Sequence, residues 1–217
     1  LDKTITVYLI RHGETTAQTR GLFSGISDLP LTEIGRSQAD ALSFRSDLSE
    51  IRTCISSPLS RCTETAERVF SGRVVFDEDL VEIDFGGWEM KTWQEISEKY
   101  PEKAEKWLRQ EGDFCFPDGE CIKGFFERIE IVAGKIKEYA LSDKKHKIAV
   151  CTHGGVIKSL ICLWLGIPPE KHFHFAADIA SVSCLSISAG FGYLSFLNDT
   201  SHLNSVYLGG TGENTNG

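Results

Sequence analysis

Two hydrophobic runs in this chain stop in the same way, and that repetition constrains the fold more than any other feature. Residues Ile5 to Ile10 carry no charge and then give way to Arg11-His12-Gly13-Glu14-Thr15. Residues Ile148-Ala149-Val150-Cys151-Thr152 give way to His153-Gly154-Gly155. Near-continuous apolarity of this kind reads as a strand covered on both faces, and so as a parallel sheet with helices on either side. In open α/β sheets the crevice outside the carboxyl ends of the strands is where ligands bind. One strand ending in a histidine is equally well read as a side chain that satisfies a backbone carbonyl. Two such ends, together with two arginines at strand-to-helix junctions, describe a pocket for a tetrahedral dianion.

The intervening chain supplies the remaining elements. Thr32 reads as the N-cap of a helix ending near Phe44 or Arg45. Before it, Arg20-Gly21-Leu22-Phe23-Ser24-Gly25 forms a loop able to wrap back over the first strand's end. Ile51 to Ser57 is a second strand, and Pro58 is placed in the first turn of a helix running to about Phe70. Arg61 falls in that first turn, where a cation costs a little helix stability and reinforces anion binding by the unpaired N–H groups.

Val74 to Phe76 is a short third strand, followed by an irregular stretch from Leu80 to Glu89. Its acids read by default as surface groups, but Glu82 lies between Val81 and Ile83, where partial burial would suit it to general acid–base work. Trp93 to Gln110 is helical, with Pro101 in the first turn of a second helix, and Ile122 to Ala140 is a long helix with Phe125, Ile129, Val132 and Ile136 at helical spacing. Residues of about 88–121 read as a small helical cap whose aromatics are core or line a specificity pocket. Gly154 and Gly155 start a helix that runs through Val156 to Leu165 and is ended by Gly166 and Pro168. Val182 to Ile187 and Tyr193 to Leu197 then pair as an antiparallel hairpin at or near a sheet edge. The expectation is a single α/β domain over residues 1–208, a three-layer α/β/α sandwich with a mostly parallel central sheet, followed by a flexible tail at 209–217.

Composition narrows the partners. Hydrophobic residues make up 41% and charged residues 25% of 217, ordinary values for a globular chain. No apolar run reaches the length of a membrane helix, and Leu1-Asp2-Lys3 leads into the first strand without a leader pattern. A formal net charge of -8 argues against general nucleic-acid affinity, so an anionic ligand needs a local positive pocket. The cysteines at 54, 62, 115, 121, 151, 162 and 184 show no metal spacing and are expected to be reduced thiols, mostly small apolar packing, which suits a cytoplasmic location.

Taken in order, Arg11-His12-Gly13-Glu14-Thr15, Phe23-Ser24-Gly25, Leu31-Thr32-Glu33-Ile34-Gly35, Ser56-Ser57-Pro58-Leu59-Ser60-Arg61, Glu82 with Phe85-Gly86, and Thr152-His153-Gly154-Gly155 resemble the histidine phosphatase superfamily, the phosphoglycerate-mutase-like or RHG family. The residues by themselves do not choose between His12 and His153. The resemblance implies that His12 is the nucleophile, carried as a phosphohistidine, and that Arg11, Arg61 and His153 hold the phosphoryl oxygens. Gln18 (where many relatives have Asn), Ser24, Gly25 and Gly154 complete the implied phosphate-binding set. Glu82 would protonate the leaving oxygen and later take a proton from the attacking water. The chemistry fits, because phosphoryl transfer needs in-line positioning and neutralisation of spread negative charge, which two guanidinium groups and an imidazole supply without a metal or other cofactor.

Within the superfamily, Gly21 to Gly25, Phe85 to Met90 and the run from His172 to Asn198 look most like the α-ribazole phosphatases. Asp178-Ile179-Ala180-Ser181 also resembles phosphoserine and broad-specificity phosphatases. The expected substrate is a small phosphate ester, acted on by a monomer or homodimer. A phosphoglycerate mutase is a weaker reading, since the long basic insertion of the cofactor-dependent mutases is missing, and a non-catalytic ester binder is weaker still. His172, His174 and His202 are read as structural and His146 as a surface residue.

Overall fold

The computed structural model describes residues 3–109, 114–144, 146–204 and 206. The end of the first cap helix pair at Gln110 and the tail at 209–217 lie outside the described residues. In chain order the elements are β1 (Ile5–Arg11), α1 (Thr16–Thr19), α2 (Glu33–Ser43), β2 (Thr53–Ser56), α3 (Ser60–Val69), β3 (Arg73–Phe76), α4 (Trp93–Lys99), α5 (Pro101–Leu108), α6 (Ile122–Ser142), β4 (Lys147–Thr152), α7 (Gly154–Leu165), β5 (Val182–Ser188) and β6 (Phe191–Asp199). The six strands form one sheet in the order β3-β2-β4-β1-β5-β6. β3, β2, β4 and β1 run parallel, and β5 is antiparallel to both β1 and β6. The β5–β6 hairpin occupies the sheet edge expected for it.

Alternation along the two central strands sorts the core into two layers, because successive side chains point to opposite faces. Val7 and Leu9 of β1 and Ile148 and Val150 of β4 pack with Ile129, Val132 and Ile136 of α6 and with Val156 and Leu160 of α7. Tyr8, Ile10, Ala149 and Cys151 face the other way, against Leu42 of α2 and Cys62 and Ala66 of α3. The mostly parallel three-layer arrangement follows. The cap belongs to the first layer: Trp88, Ile96, Phe114 and Phe116 are continuous with the apolar face of α6. Trp88 is fully buried at its centre, with the rings of Phe23, Trp93, Trp107, Phe114 and Phe116 all 5.2–6.2 Å away.

Four local readings are corrected. α3 begins at Ser60, so Pro58 lies ahead of its N-cap Leu59 rather than in its first turn. The four-residue helix α1 was not expected; it is held by a capping box in which Thr15 and Gln18 bond each other's backbone. Cys115 and Cys121 are joined by a disulfide, against the reading of all seven cysteines as thiols. Their spacing carries no motif, but Phe116 N–H to Glu120 O and Ile122 N–H to Phe114 O fold the loop into a tight hairpin that sets the two side by side. The other five cysteines are free and buried. His146 is half-buried rather than on the surface. Among the described residues no helix is long and apolar enough to cross a membrane.

Candidate active site

Strand register brings the two motifs together. β1 and β4 are parallel neighbours in which Arg11 aligns with Thr152, so His12 and His153 leave the sheet side by side. The His12 N–H donates to Thr152 O at 3.1 Å, and the two rings lie 5.2 Å apart, edge to face. Both imidazoles are nearly sealed, 3% and 1% exposed. Burial, then the charges of Arg61 and Arg11 on His12 and of Arg61, His12 and Arg11 on His153, hold both well below the usual histidine pKa.

Their hydrogen bonds differ. His12 Nδ1 lies 2.7 Å from Gly13 O, a carbonyl that can only accept, so Nδ1 carries the proton. Nε2 is left unprotonated and makes no hydrogen bond with any described residue. His153 spends both nitrogens: Nδ1 accepts from Arg61 Nε at 3.2 Å, and Nε2 faces Ser57 Oγ at 2.9 Å.

The arginines arrive from different elements. Arg11 ends β1, is anchored by Nη1 to Ala177 O at 2.6 Å, and has its buried Nε without a partner. Arg61, 1% exposed, donates from Nη1 to Ser27 O and from Nη2 to Gly25 O. The anion site expected at the N-terminus of α3 is already taken, because the Ser60 N–H and hydroxyl both donate to Asp28. Its contribution is therefore the Arg61 guanidinium. Glu82 accepts from Gly155 N–H at 2.8 Å and from Ile83 N–H at 3.0 Å. A Cβ on Gly155 would stand 2.4 Å from Glu82 Oε1, so only glycine lets the carboxylate reach the start of α7.

A cavity of about 440 Å³ opens beside these groups. Arg11, Gln18, Ser24, Glu82, Gly154 and Gly155 form its polar wall, whereas His12, Arg61 and His153 lie outside its lining. Ser24 Oγ is buried without a partner. Gln18 Oε1 accepts from Thr15 N–H and hydroxyl, which leaves its amide nitrogen for a ligand. Gly25 does not present its N–H to the cavity; that group donates to Glu89, and its carbonyl holds Arg61. The rest of the lining is largely apolar and aromatic, with Phe23, Phe85, Trp107, Ile122, Phe125 and Phe173. His172 keeps its structural bond to Pro169 O and also lines the cavity, stacked on Phe173. His174 and His202 are not among the cavity's lining residues. Among the described residues no three histidines, cysteines or acids are grouped to hold a metal ion.

Sequence patterns missed the supports. Glu89 takes the N–H groups of Gly25, Ile26, Ser27 and Phe85 and the Ser27 hydroxyl, which clamps the loop that holds Arg61. Arg128 of α6 pairs with Glu120 and donates to the carbonyls of Asp79 and Val81, fixing the segment that carries Glu82. The only sequence signal was a cation on an otherwise apolar helix face.

Paired strand-end histidines, two junction arginines and one acid are the arrangement expected from the motifs, and a model of the histidine phosphatase superfamily (branch 1) matches residues 7–200. The chain belongs to that superfamily. Among histidine phosphatases, it is 32% identical to an adenosylcobalamin/alpha-ribazole phosphatase of Escherichia coli K12 over 88% of its own length and 95% of the relative's. It is 27% identical to phosphoserine phosphatase 1 of Hydrogenobacter thermophilus, over 94% and 97% of the two chains. The crystal structure of the alpha-ribazole phosphatase from Shigella flexneri superposes with a TM-score of 0.83 at 31% identity, covering 90% of this chain and 97% of that one. Phosphatase names across these relatives accord with a phosphoric monoester hydrolase.

Proposed function

We propose that this histidine phosphatase hydrolyses a small phosphate monoester through a phosphohistidine on His12, without a metal, and that α-ribazole 5'-phosphate is the best-supported substrate. The observation that carries the mechanism is the inequality of the two imidazoles: only His12 has an unprotonated ring nitrogen with no protein partner. In the first step the Nε2 lone pair forms the N–P bond, the P–O bond to the leaving group breaks, and Glu82 gives that oxygen its proton. In the second, water attacks phosphorus, Glu82 takes the water's proton, and His12 departs. Arg11 Nε, the remaining N–H groups of Arg61, Ser24 Oγ and the Gln18 amide are the donors for the phosphoryl oxygens, aided by the N-terminus of α7.

The names of the E. coli and Shigella relatives favour α-ribazole 5'-phosphate, and the aromatic wall of the cavity suits a flat heterocycle. A phosphoserine phosphatase is the second reading, supported by the Hydrogenobacter relative. The test is rapid quenching with a phosphorus-labelled ester in chelator. Wild type is expected to turn over and to trap an acid-labile phosphoenzyme, and His12→Ala to lose both. A His12→Ala variant with normal turnover, or activity that disappears in chelator, would refute the mechanism. Comparing α-ribazole 5'-phosphate with phosphoserine by kcat/KM decides the substrate.

A further inference from the structure

Lys158 is a charged group of the cavity wall to which the mechanism above gives no task. It lies on α7 four residues after Gly154, one helical turn beyond the site, and lines the same cavity as Arg11 and Glu82. Its ammonium makes no hydrogen bond or ion pair with any described residue. The other basic groups set into this half of the molecule behave differently: Arg11 and Arg61 donate to backbone carbonyls, and Arg128 to carbonyls and a carboxylate. Lys158 is half-buried, its pKa is pulled down first by burial and then by Arg11, and Glu82 and Asp178 offset this only through space. Holding a partly desolvated ammonium without an acceptor costs free energy, which a ligand acceptor would recover.

From this placement we infer that Lys158 binds a second oxygen acceptor on the leaving group, so that preferred esters carry a carboxylate or hydroxyl within a few bonds of the phosphate. The inference rests on the phosphatase reading of the same site. Placement supports it: the cavity that Lys158 lines together with Arg11 and Glu82 is also lined by Ile122, Phe125 and Phe173, whose side chains offer no hydrogen bond. An ester that buried only apolar surface there would leave the ammonium unsatisfied.

The experiment compares phosphoserine, ribose 5-phosphate and benzyl phosphate, the last lacking the second acceptor, on wild type, Lys158→Met and Lys158→Arg. In Lys158→Met the ratio of kcat/KM for the acceptor-bearing esters to that for benzyl phosphate is expected to fall about ten- to hundredfold, mostly through KM, and Lys158→Arg to restore part of it. A fall confined to phosphoserine identifies a carboxylate as the acceptor, and one that includes ribose 5-phosphate identifies a hydroxyl. Equal losses on all three esters, or no loss, overturn the inference. A wild type that releases phosphate from none of them, nor from α-ribazole 5'-phosphate, counts against the phosphatase reading instead. Lys158 is then judged by calorimetric affinities for the same esters, where an unchanged ratio between wild type and Lys158→Met overturns it.

Discussion

His12 and His153 are the same residue type at equivalent ends of neighbouring strands, and only their partners make them different. Gly13 O fixes the His12 tautomer and leaves Nε2 open, whereas Arg61 and Ser57 occupy both nitrogens of His153. Each ring has its pKa well below the ordinary value in the folded state. Protons then bind the unfolded chain more readily as the pH falls below about 6.5. The stability due to these neutral rings is fully present above that pH and is lost on acidification toward the folded pKa values, at up to about 1.4 kcal/mol per pH unit for each histidine. Urea unfolding between pH 5 and 7.5 is expected to show this slope, and His12→Asn to make it shallower. The acid limb of kcat/KM arising from His12 is expected below pH 6.5, and a limb above it would contradict a buried neutral nucleophile. At this scale residue type and motif order were enough to nominate His12, His153, Arg11, Arg61 and Glu82. They were silent on Glu89 and Asp28, whose tasks depend on loops far away in sequence.

The start of α7 shows how an element carries chemistry. A twelve-residue helix begins at Gly154 directly after the β4 histidine, and its Gly155 N–H orients Glu82 from another segment. Gly155→Ala is expected to leave the helix in place, since alanine is the better helix former, but to push the carboxylate away from a contact that leaves no room for a methyl group. The kcat/KM for esters with poor leaving groups, which reports the first phosphoryl transfer, should then fall about a hundredfold or more, the range for loss of a general acid, and much less for p-nitrophenyl phosphate, whose leaving oxygen needs no proton. Equal effects on both ester types would place the damage elsewhere. The strands and long helices were readable from periodicity. The short α1 was not, because four residues carry no period and its capping box shows only when Thr15 and Gln18 are seen bonded. The Cys115–Cys121 link was hidden for a similar reason: it depends on a hairpin whose closure involves Phe114 and Ile122 rather than on any cysteine pattern.

Across the whole molecule, the cap and the sheet share one apolar layer, in which Trp88 joins residues of the cap to the face of α6. We therefore expect a single unfolding transition. Tryptophan fluorescence, reporting Trp88, Trp93 and Trp107 in the cap and Trp164 on α7, should coincide with far-UV circular dichroism in urea, and Trp88→Ala should lower the stability by about 3–5 kcal/mol. Separated transitions would show the cap to be an independent unit. The sequence by itself determined the layer architecture, because uncharged strands must be covered on both faces, and it determined the chemical groups available at the strand ends. Tertiary structure alone decided that β4 lies directly beside β1, which sets two histidines about 140 residues apart into ring contact. It also decided which of the two imidazoles keeps a free nitrogen, and that Lys158 lines the cavity without an acceptor among the described residues. Those outcomes depend on strand order and on which carbonyls and side chains are brought within hydrogen-bond reach, and local pattern encodes neither.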